Sequence, residues 1–293
     1  MDYDVMMIGS GHATWHGAVA LAQQGKHVAI IEKDLVGGTC TNYGCDAKIA
    51  LDGPFQLIEQ LERFTGAGVD KAPDIHWSDL MTYKHQVIDP LAPTMTTLLS
   101  QLGVTMLTGT AKLVDAHTVT VDDHTYTSDY IVLGTGQRPA TLDIPGAEYI
   151  HDSREFLDLP DMPERLVFIG AGIIAMEFAA MAATMGKTVH IVEFSDKALA
   201  PFNQTYVARL RTKLQAQGVQ FHFNEAVNKV IKSEKGFTVT TAKGLVLDCD
   251  YILGATGRVA NIEDLGLESL GIQASKRGIV VNDHLQTPRQ PHS

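Results

Sequence analysis

The chain has 293 residues, room for two domains, and its 45% hydrophobic and 19% charged residues are the balance of an ordinary folded globular protein. A formal net charge of -11 excludes a general affinity for nucleic-acid phosphate, which needs clustered Lys and Arg. Three cysteines are too few for a disulfide scaffold, and no apolar run approaches the length of about eighteen residues that spans a membrane.

The N-terminus, MDYDVMMIGSG, has neither the basic region nor the apolar region of a signal peptide, so a cytoplasmic protein without a membrane partner is expected. Residues 4–34 then read as strand, glycine turn, helix and strand, the βαβ unit of a parallel sheet. Residues 54–64 and roughly 77–102 have helical spacing. Residues 104–132 alternate apolar and polar, with turn signals at Asp115-Ala116-His117 and Asp122-Asp123, and predict a small antiparallel meander. Pro-Gly punctuation makes 144–149 a linker. Residues 165–196 repeat the pattern of 4–34, and 219–254 read as short strands with a turn at Glu234-Lys235-Gly236. The repetition predicts two related nucleotide-binding domains.

Each repeat carries the same chemistry. Gly9-Ser10-Gly11 follows a strand and opens a helix, so a pyrophosphate can approach backbone N–H groups at the positive end of that helix. Glu32 ends the next strand, placed to accept hydrogen bonds from ribose hydroxyls. Thr14 departs from the third glycine of the G-x-G-x-x-G pattern, and Ala18 keeps the following helix–strand contact small. In the second repeat the turn is Gly170-Ala171-Gly172, with Ala175 at the third position and Glu193 ending the strand. An acid there favours a free 2′-hydroxyl, and hence NADH over NADPH. A single such turn can be a plain strand–helix joint; two copies, each with its distant acid, point to nucleotide binding.

Residues 37–45 read GGTCTNYGC. This block resembles the motif of the class I pyridine nucleotide-disulfide oxidoreductases, the group of dihydrolipoamide dehydrogenase, glutathione reductase and mercuric reductase. DYIVLGTGQRPATLDIPG (129–146) is similar to that family's A-T-G-x-x-P segment, with Gly134 in place of its alanine. LTGTAKLVD (107–115) is similar to its adenine-contacting stretch, and residues 250–272 to its G-R-x-P-N block, with Ala260 for proline.

The resemblance implies an α/β fold of two Rossmann-like domains. One binds FAD (1–147 and 259–293) and one binds NAD(P) (148–258). Parallel sheets are joined by small antiparallel meanders. It implies that hydride passes from NAD(P)H through flavin to a redox-active Cys40–Cys45 disulfide and on to a small disulfide or related acceptor. Cys40 would exchange with the acceptor and Cys45 would face the flavin. Lys48 and Glu177 match the family's lysine–glutamate pair, although the step from Cys45 to Lys48 is three residues without proline where the family has four with one. Implied cofactor contacts are Gly9, Gly11, Glu32, Gly38, Thr39, Thr110, Ala111, Thr135 and Gly136 for FAD. Those for the nicotinamide cofactor and its neighbourhood are Gly170, Gly172, Ala175, Glu193 and Gly257.

The resemblance ends where the family continues into a second FAD segment and a dimer-forming domain, so the chain reads as truncated and the family's homodimer is not expected of it alone. The segment precedes an apolar-periodic helix, where a thiolate is stabilised. Residues five apart in a regular helix have Cα atoms roughly 8–9 Å apart, whereas a disulfide wants about 4.4–6.8 Å, so the backbone must deviate and Gly44 supplies the freedom. A C-x4-C pair can also be half of a metal site, but four ligands are wanted and Cys249 lies in a different pattern, so no metal is expected. His12 and His16 flank the first turn and read as bystanders. Two other readings stay open: a flavin NAD(P)H oxidase or diaphorase that bypasses the cysteines, and a non-catalytic nucleotide-binding chain.

Overall fold

The computed structural model describes residues 1–275 and 278–288. In chain order its first elements are β1 (Tyr3–Ile8), α1 (Trp15–Gln23), β2 (Val28–Glu32), α2 (Gly38–Tyr43), α3 (Cys45–Glu62), α4 (Trp77–Ile88) and α5 (Leu91–Gln101). They are followed by β3 (Thr105–Thr108), β4 (Ala111–Leu113), β5 (Thr118–Val121), β6 (His124–Leu133) and β7 (Gln137–Pro139). The second half holds α6 (Ser153–Phe156), β8 (Arg165–Ile169), α7 (Ile173–Thr184), β9 (Thr188–Glu193), α8 (Gln204–Ala216), β10 (Gln220–Phe223), β11 (Val227–Ser233), β12 (Gly236–Thr241), β13 (Val246–Cys249) and β14 (Tyr251–Gly254). Packing divides the chain into two compact units.

The first unit comprises Met1–Ala47, Gln86–Arg138 and the described part of Val259–Ser293. Its sheet has the order β3-β2-β1-β6-β5-β4. The strands from β3 to β6 run parallel, and β5 and β4 continue the sheet antiparallel. The expected meander over 104–132 is therefore corrected: β3 joins the parallel sheet beside β2, and only β4, β5 and the start of β6 form the meander. Alternation records that one face is buried but does not say which strand lies alongside. β1 is buried on both faces, as a central parallel strand requires. Met6 and Ile8 join one apolar cluster with Val119 and Val121, while Val5 and Met7 join another with Ala18 and Leu99.

The helical stretch expected over 77–102 is two helices, because Pro90 cannot donate the N–H that would continue α4 and instead precedes α5. The helix expected over 54–64 begins earlier, at Cys45, and carries Pro54 inside it. Asp52-Gly53-Pro54 imitates a turn in the sequence, but the helix runs through it.

The second unit comprises Lys48–His85 and Pro139–Arg258. Its central sheet, β10-β9-β8-β14, is parallel throughout. One face carries Val167, Ile169, Val192 and Ile252, which pack with Val230, Val239 and Cys249 of the antiparallel sheet β11-β12-β13. On α7, Phe178 stacks on Phe156 with ring centroids 4.3 Å apart, and Phe156 in turn meets Phe168 of β8. The stretch 48–85, expected within the 1–147 segment, packs with this unit. Trp77 Nε1 donates to Leu159 O at 2.7 Å, Trp77 meets Phe156 edge-on, and Lys213 pairs with Glu59 at 2.6 Å. Each unit is Rossmann-like, as the βαβ repeats predict, and among the described residues no helix is long and apolar enough to cross a membrane.

Candidate functional site

The two glycine turns are built alike. Gly9 N donates to Ile31 O at 2.8 Å, and Gly170 N donates to Val192 O at 2.7 Å. Both glycines have φ +100°, and a Cβ on either would strike the backbone that follows the neighbouring strand: Gly134 O at 2.3 Å for Gly9 and Ala255 O at 2.5 Å for Gly170. Only glycine tolerates both the conformation and the approach. The acids sit on these turns. Glu32 Oε2 accepts from Ser10 N at 2.9 Å, and Glu193 Oε2 accepts from Ala171 N at 2.8 Å. Their other oxygens accept from the amides that follow, Lys33 and Asp34 for Glu32 and Ser195 for Glu193. An ionised carboxylate has about four acceptor positions, so Glu193, with two of them used, keeps capacity for ribose hydroxyls, whereas Glu32, which also accepts from Ser10 Oγ, has four used and would take a ribose hydroxyl in exchange for one of these bonds.

At the helix ends of the turns the backbone is open. A Cβ added at Gly11 or at Gly172 would meet no atom within 4 Å. Gly172 is the N-cap of α7, and Gly11 precedes α1 by one turn. Each is a cradle over a helix N-terminus into which a diphosphate fits. Ala175 lies wholly buried in α7, where its small side chain lets the helix approach the sheet.

Thr14 and Gly134, which both depart from the family pattern, explain each other. Thr14 is 1% exposed, and its Oγ1 donates to Gly9 O at 2.7 Å and Gly11 O at 2.9 Å, closing the turn where a glycine would leave the carbonyls to other partners. Its methyl occupies the space that a side chain at position 134 would need: a Cβ on Gly134 would lie 2.1 Å from Thr14 Cγ2.

Ser10 ties the first turn to the cysteine segment. Wholly buried, its Oγ donates to Glu32 Oε2 at 2.6 Å and accepts from Gly37 N at 3.1 Å. Gly38 packs directly on the turn, since a Cβ there would meet Gly11 Cα at 2.8 Å. Asn42 holds the same loop from the other side, its Nδ2 donating to Val36 O at 3.1 Å and Gly38 O at 3.0 Å. Cys40 stands in α2 and Cys45 opens α3. The helix is interrupted between them at Gly44, where an added Cβ would meet Thr39 O at 3.0 Å. Gly44 thus supplies the break that the spacing requires.

Both cysteines are free thiols in this structure, Cys40 partly buried and Cys45 exposed. Burial pushes the Cys40 thiol up to about 11, helped by its hydrogen bond with Cys45 and by the charges of Cys45 and Asp46. This corrects the expectation of a stabilised thiolate for Cys40. Cys40 lies within the six-residue α2, and Cys45 is the first residue of α3.

In the second unit, Lys48 Nζ donates to Glu177 Oε1 at 2.9 Å, an ion pair between α3 and α7. The resemblance pairs these two residues, and the fold brings them into contact despite the altered spacing after Cys45. The remaining expected residues fall on loops and strand ends. Thr110 N donates to Asp122 Oδ1 at 3.1 Å, next to Ala111 at the start of β4. Thr135 O accepts from Asn261 Nδ2 at 2.9 Å and Gly136 O from Asn261 N at 3.0 Å. Gly257, at φ +111°, accepts at its carbonyl from Ala140 N at 3.0 Å. Ser10, Asn42, Asp122 and Asn261 are missing from the sequence-derived set. Asn42 stood in plain view inside GGTCTNYGC, whereas the partners of Ser10 and Asn261 are set by chain closure.

Comparison with known proteins gives one consistent picture. Residues 3–292 match the family described as pyridine nucleotide-disulphide oxidoreductase. A chloroplastic/mitochondrial glutathione reductase of Pisum sativum is 33% identical across 98% of this chain, and a dihydrolipoyl dehydrogenase of Bacillus subtilis is 30% identical across 98%. The chain spans 54% of the length of the first and 64% of the second. Among solved structures, the HOCl-induced flavoprotein disulfide reductase RclA from Escherichia coli superposes with a TM-score of 0.85 at 27% identity, covering 98% of this chain and 64% of that one.

Proposed function

Because the chain belongs to the pyridine nucleotide-disulphide oxidoreductase family, we propose that it is an FAD-dependent oxidoreductase that uses NADH to reduce the Cys40–Cys45 pair and passes the electrons to a small disulfide or related acceptor. The observation that carries this reading is the direct packing of the cysteine segment on the first glycine turn, through Gly37 N to Ser10 Oγ at 3.1 Å and Gly38 against Gly11. In it residues 1–147 and 259–293, apart from 48–85 and 139–147, which pack with the second unit, hold FAD, and residues 148–258 hold the nicotinamide cofactor. Bound flavin supplies two-electron exchange between a reduced nicotinamide and a disulfide.

The residues have separable roles. Glu32, Gly9 and Gly11 bind the ribose and diphosphate of FAD, with Gly38, Thr39, Thr110, Ala111, Thr135 and Gly136 lining its path. Gly170, Gly172 and Glu193 do the same for NADH, and the buried Glu193 carboxylate disfavours a 2′-phosphate by charge. The Cys40 thiolate attacks one sulfur of the acceptor disulfide and expels the other as a thiolate, which takes a proton from solvent. Cys45 then attacks Cys40, releases the second acceptor thiolate, and restores the Cys40–Cys45 disulfide. Because Cys40 is held protonated at neutral pH, this attack needs a proton acceptor brought close to it. Lys48, three residues after Cys45 in α3, is held by its ion pair with Glu177 at 2.9 Å. A reducing cytoplasm suits a thiol pair that must cycle.

The test is a thiol count. Oxidised chain, loaded with FAD and given NADH without oxygen, is alkylated and mapped by mass. New alkylation at both Cys40 and Cys45, dependent on FAD and NADH together, is the expected result. NADH consumption with both cysteines unmodified would establish the oxidase or diaphorase reading, and failure to retain FAD would establish the non-catalytic one.

A further inference from the structure

We propose that His12 and His16 form a two-histidine chelating site for a divalent transition metal, Zn²⁺, Cu²⁺ or Ni²⁺, at the start of α1. His12 stands in the turn after Gly11 and His16 in the first turn of the helix, four residues on. His12 Nδ1 and His16 Nε2 are 3.2 Å apart. Two imidazole nitrogens bound to one metal at about 2.0–2.1 Å are separated by about 3.3–3.4 Å at a tetrahedral angle and about 2.9 Å at a right angle. The observed separation falls between these values.

Both rings are exposed, so water can satisfy their nitrogens and no buried polar group demands that they meet. They are nevertheless held together. The Trp15 ring stacks on His16 with centroids 3.5 Å apart and presents its edge to His12 at 5.7 Å. A preset pair loses less side-chain freedom on binding. The pair is joined by the turn that leads into α1, not by one helical face, and imidazole suits zinc, copper and nickel over magnesium or calcium.

Among the described residues no third His, Cys, Asp or Glu completes a cluster, so the remaining positions on the metal stay open to water. The affinity is that of a bidentate site, weaker than that of a closed four-ligand structural centre. A second histidine pair, His190 and His222, lies 3.1 Å apart on neighbouring strands, but it is partly buried and serves as the internal control.

The test uses the full chain carrying Cys40→Ser and Cys45→Ser, which removes the competing thiols. Calorimetric titration with NiCl₂ or CuCl₂ at pH 7.5 is compared with His12→Ala, His16→Ala and the double variant, each checked for fold by circular dichroism. One equivalent bound by the parent, weakened at least tenfold in each single variant and abolished in the double, is expected. A parent that binds no metal, or binding that survives in the double variant, would overturn the proposal and leave His12 and His16 as a plain hydrogen-bonded pair.

Discussion

Replacing Gly134 with alanine puts a methyl group 2.1 Å from Thr14 Cγ2, where non-bonded carbons rest at about 3.5–4.0 Å. Thr14 cannot move aside cheaply. It is β-branched and stiff at χ1, buried, and bonded through Oγ1 to the carbonyls of Gly9 and Gly11. Overpacking of this kind costs about 1–3 kcal/mol. Turning Thr14 away instead forfeits its one donated hydrogen bond, shared between those carbonyls and worth about 0.5–1.5 kcal/mol. Thr14→Ser removes the obstructing methyl and keeps the hydroxyl, at a cost of roughly 1 kcal/mol for one buried carbon. The double variant exchanges one methyl for another in the same space and is expected within about 1 kcal/mol of the parent. The coupling between the two sites is then about 1–3 kcal/mol in the direction of rescue. Urea unfolding followed by fluorescence and circular dichroism, compared at constant m-value, measures it. Additive effects, with coupling below about 0.5 kcal/mol, would refute the compensation.

Two further outcomes follow from titrating groups. Burial holds His190 and His222 below the ordinary imidazole range, with His222 adding to the effect on His190 and Glu225 opposing it at His222. Both stay neutral in the fold after the unfolded chain begins to take up protons near pH 6.5. Their contribution is complete above that pH and lost as the pH falls through the lowered folded values. Melting temperature should therefore drop between pH 7 and 5, and less steeply in His222→Gln; a flat profile in the parent would count against it. For Cys40, held near 11 by burial and by Cys45, iodoacetamide labelling of the reduced, flavin-free chain should be slow at pH 7.5 and accelerate about tenfold per pH unit toward 11. Rapid labelling of Cys40 at pH 7.5 would show instead that the thiolate is stabilised.

The local chemistry was legible in the sequence. The glycine turns, the acids at the ends of β2 and β9, the break at Gly44 and the parallel pairing of β1 with β2 and of β8 with β9 all follow from spacing and residue type, because each depends on neighbours within one βαβ unit. The pair Lys48–Glu177 was reached only through the family resemblance, since nothing local joins α3 to α7. Other features belong to the tertiary structure alone. In the sequence Thr14 is only a departure from its motif; the fold sets its methyl against Gly134, and it sets the Ser10 hydroxyl between Glu32 and Gly37. β3 read as part of a meander, and 48–85 as part of the first nucleotide-binding region, until packing assigned them elsewhere. Periodicity and turn residues report which face of an element is buried and where the chain bends. Which distant atoms then share one volume depends on how the whole chain closes, and that closure decides whether a methyl, a hydroxyl or a strand edge has a partner.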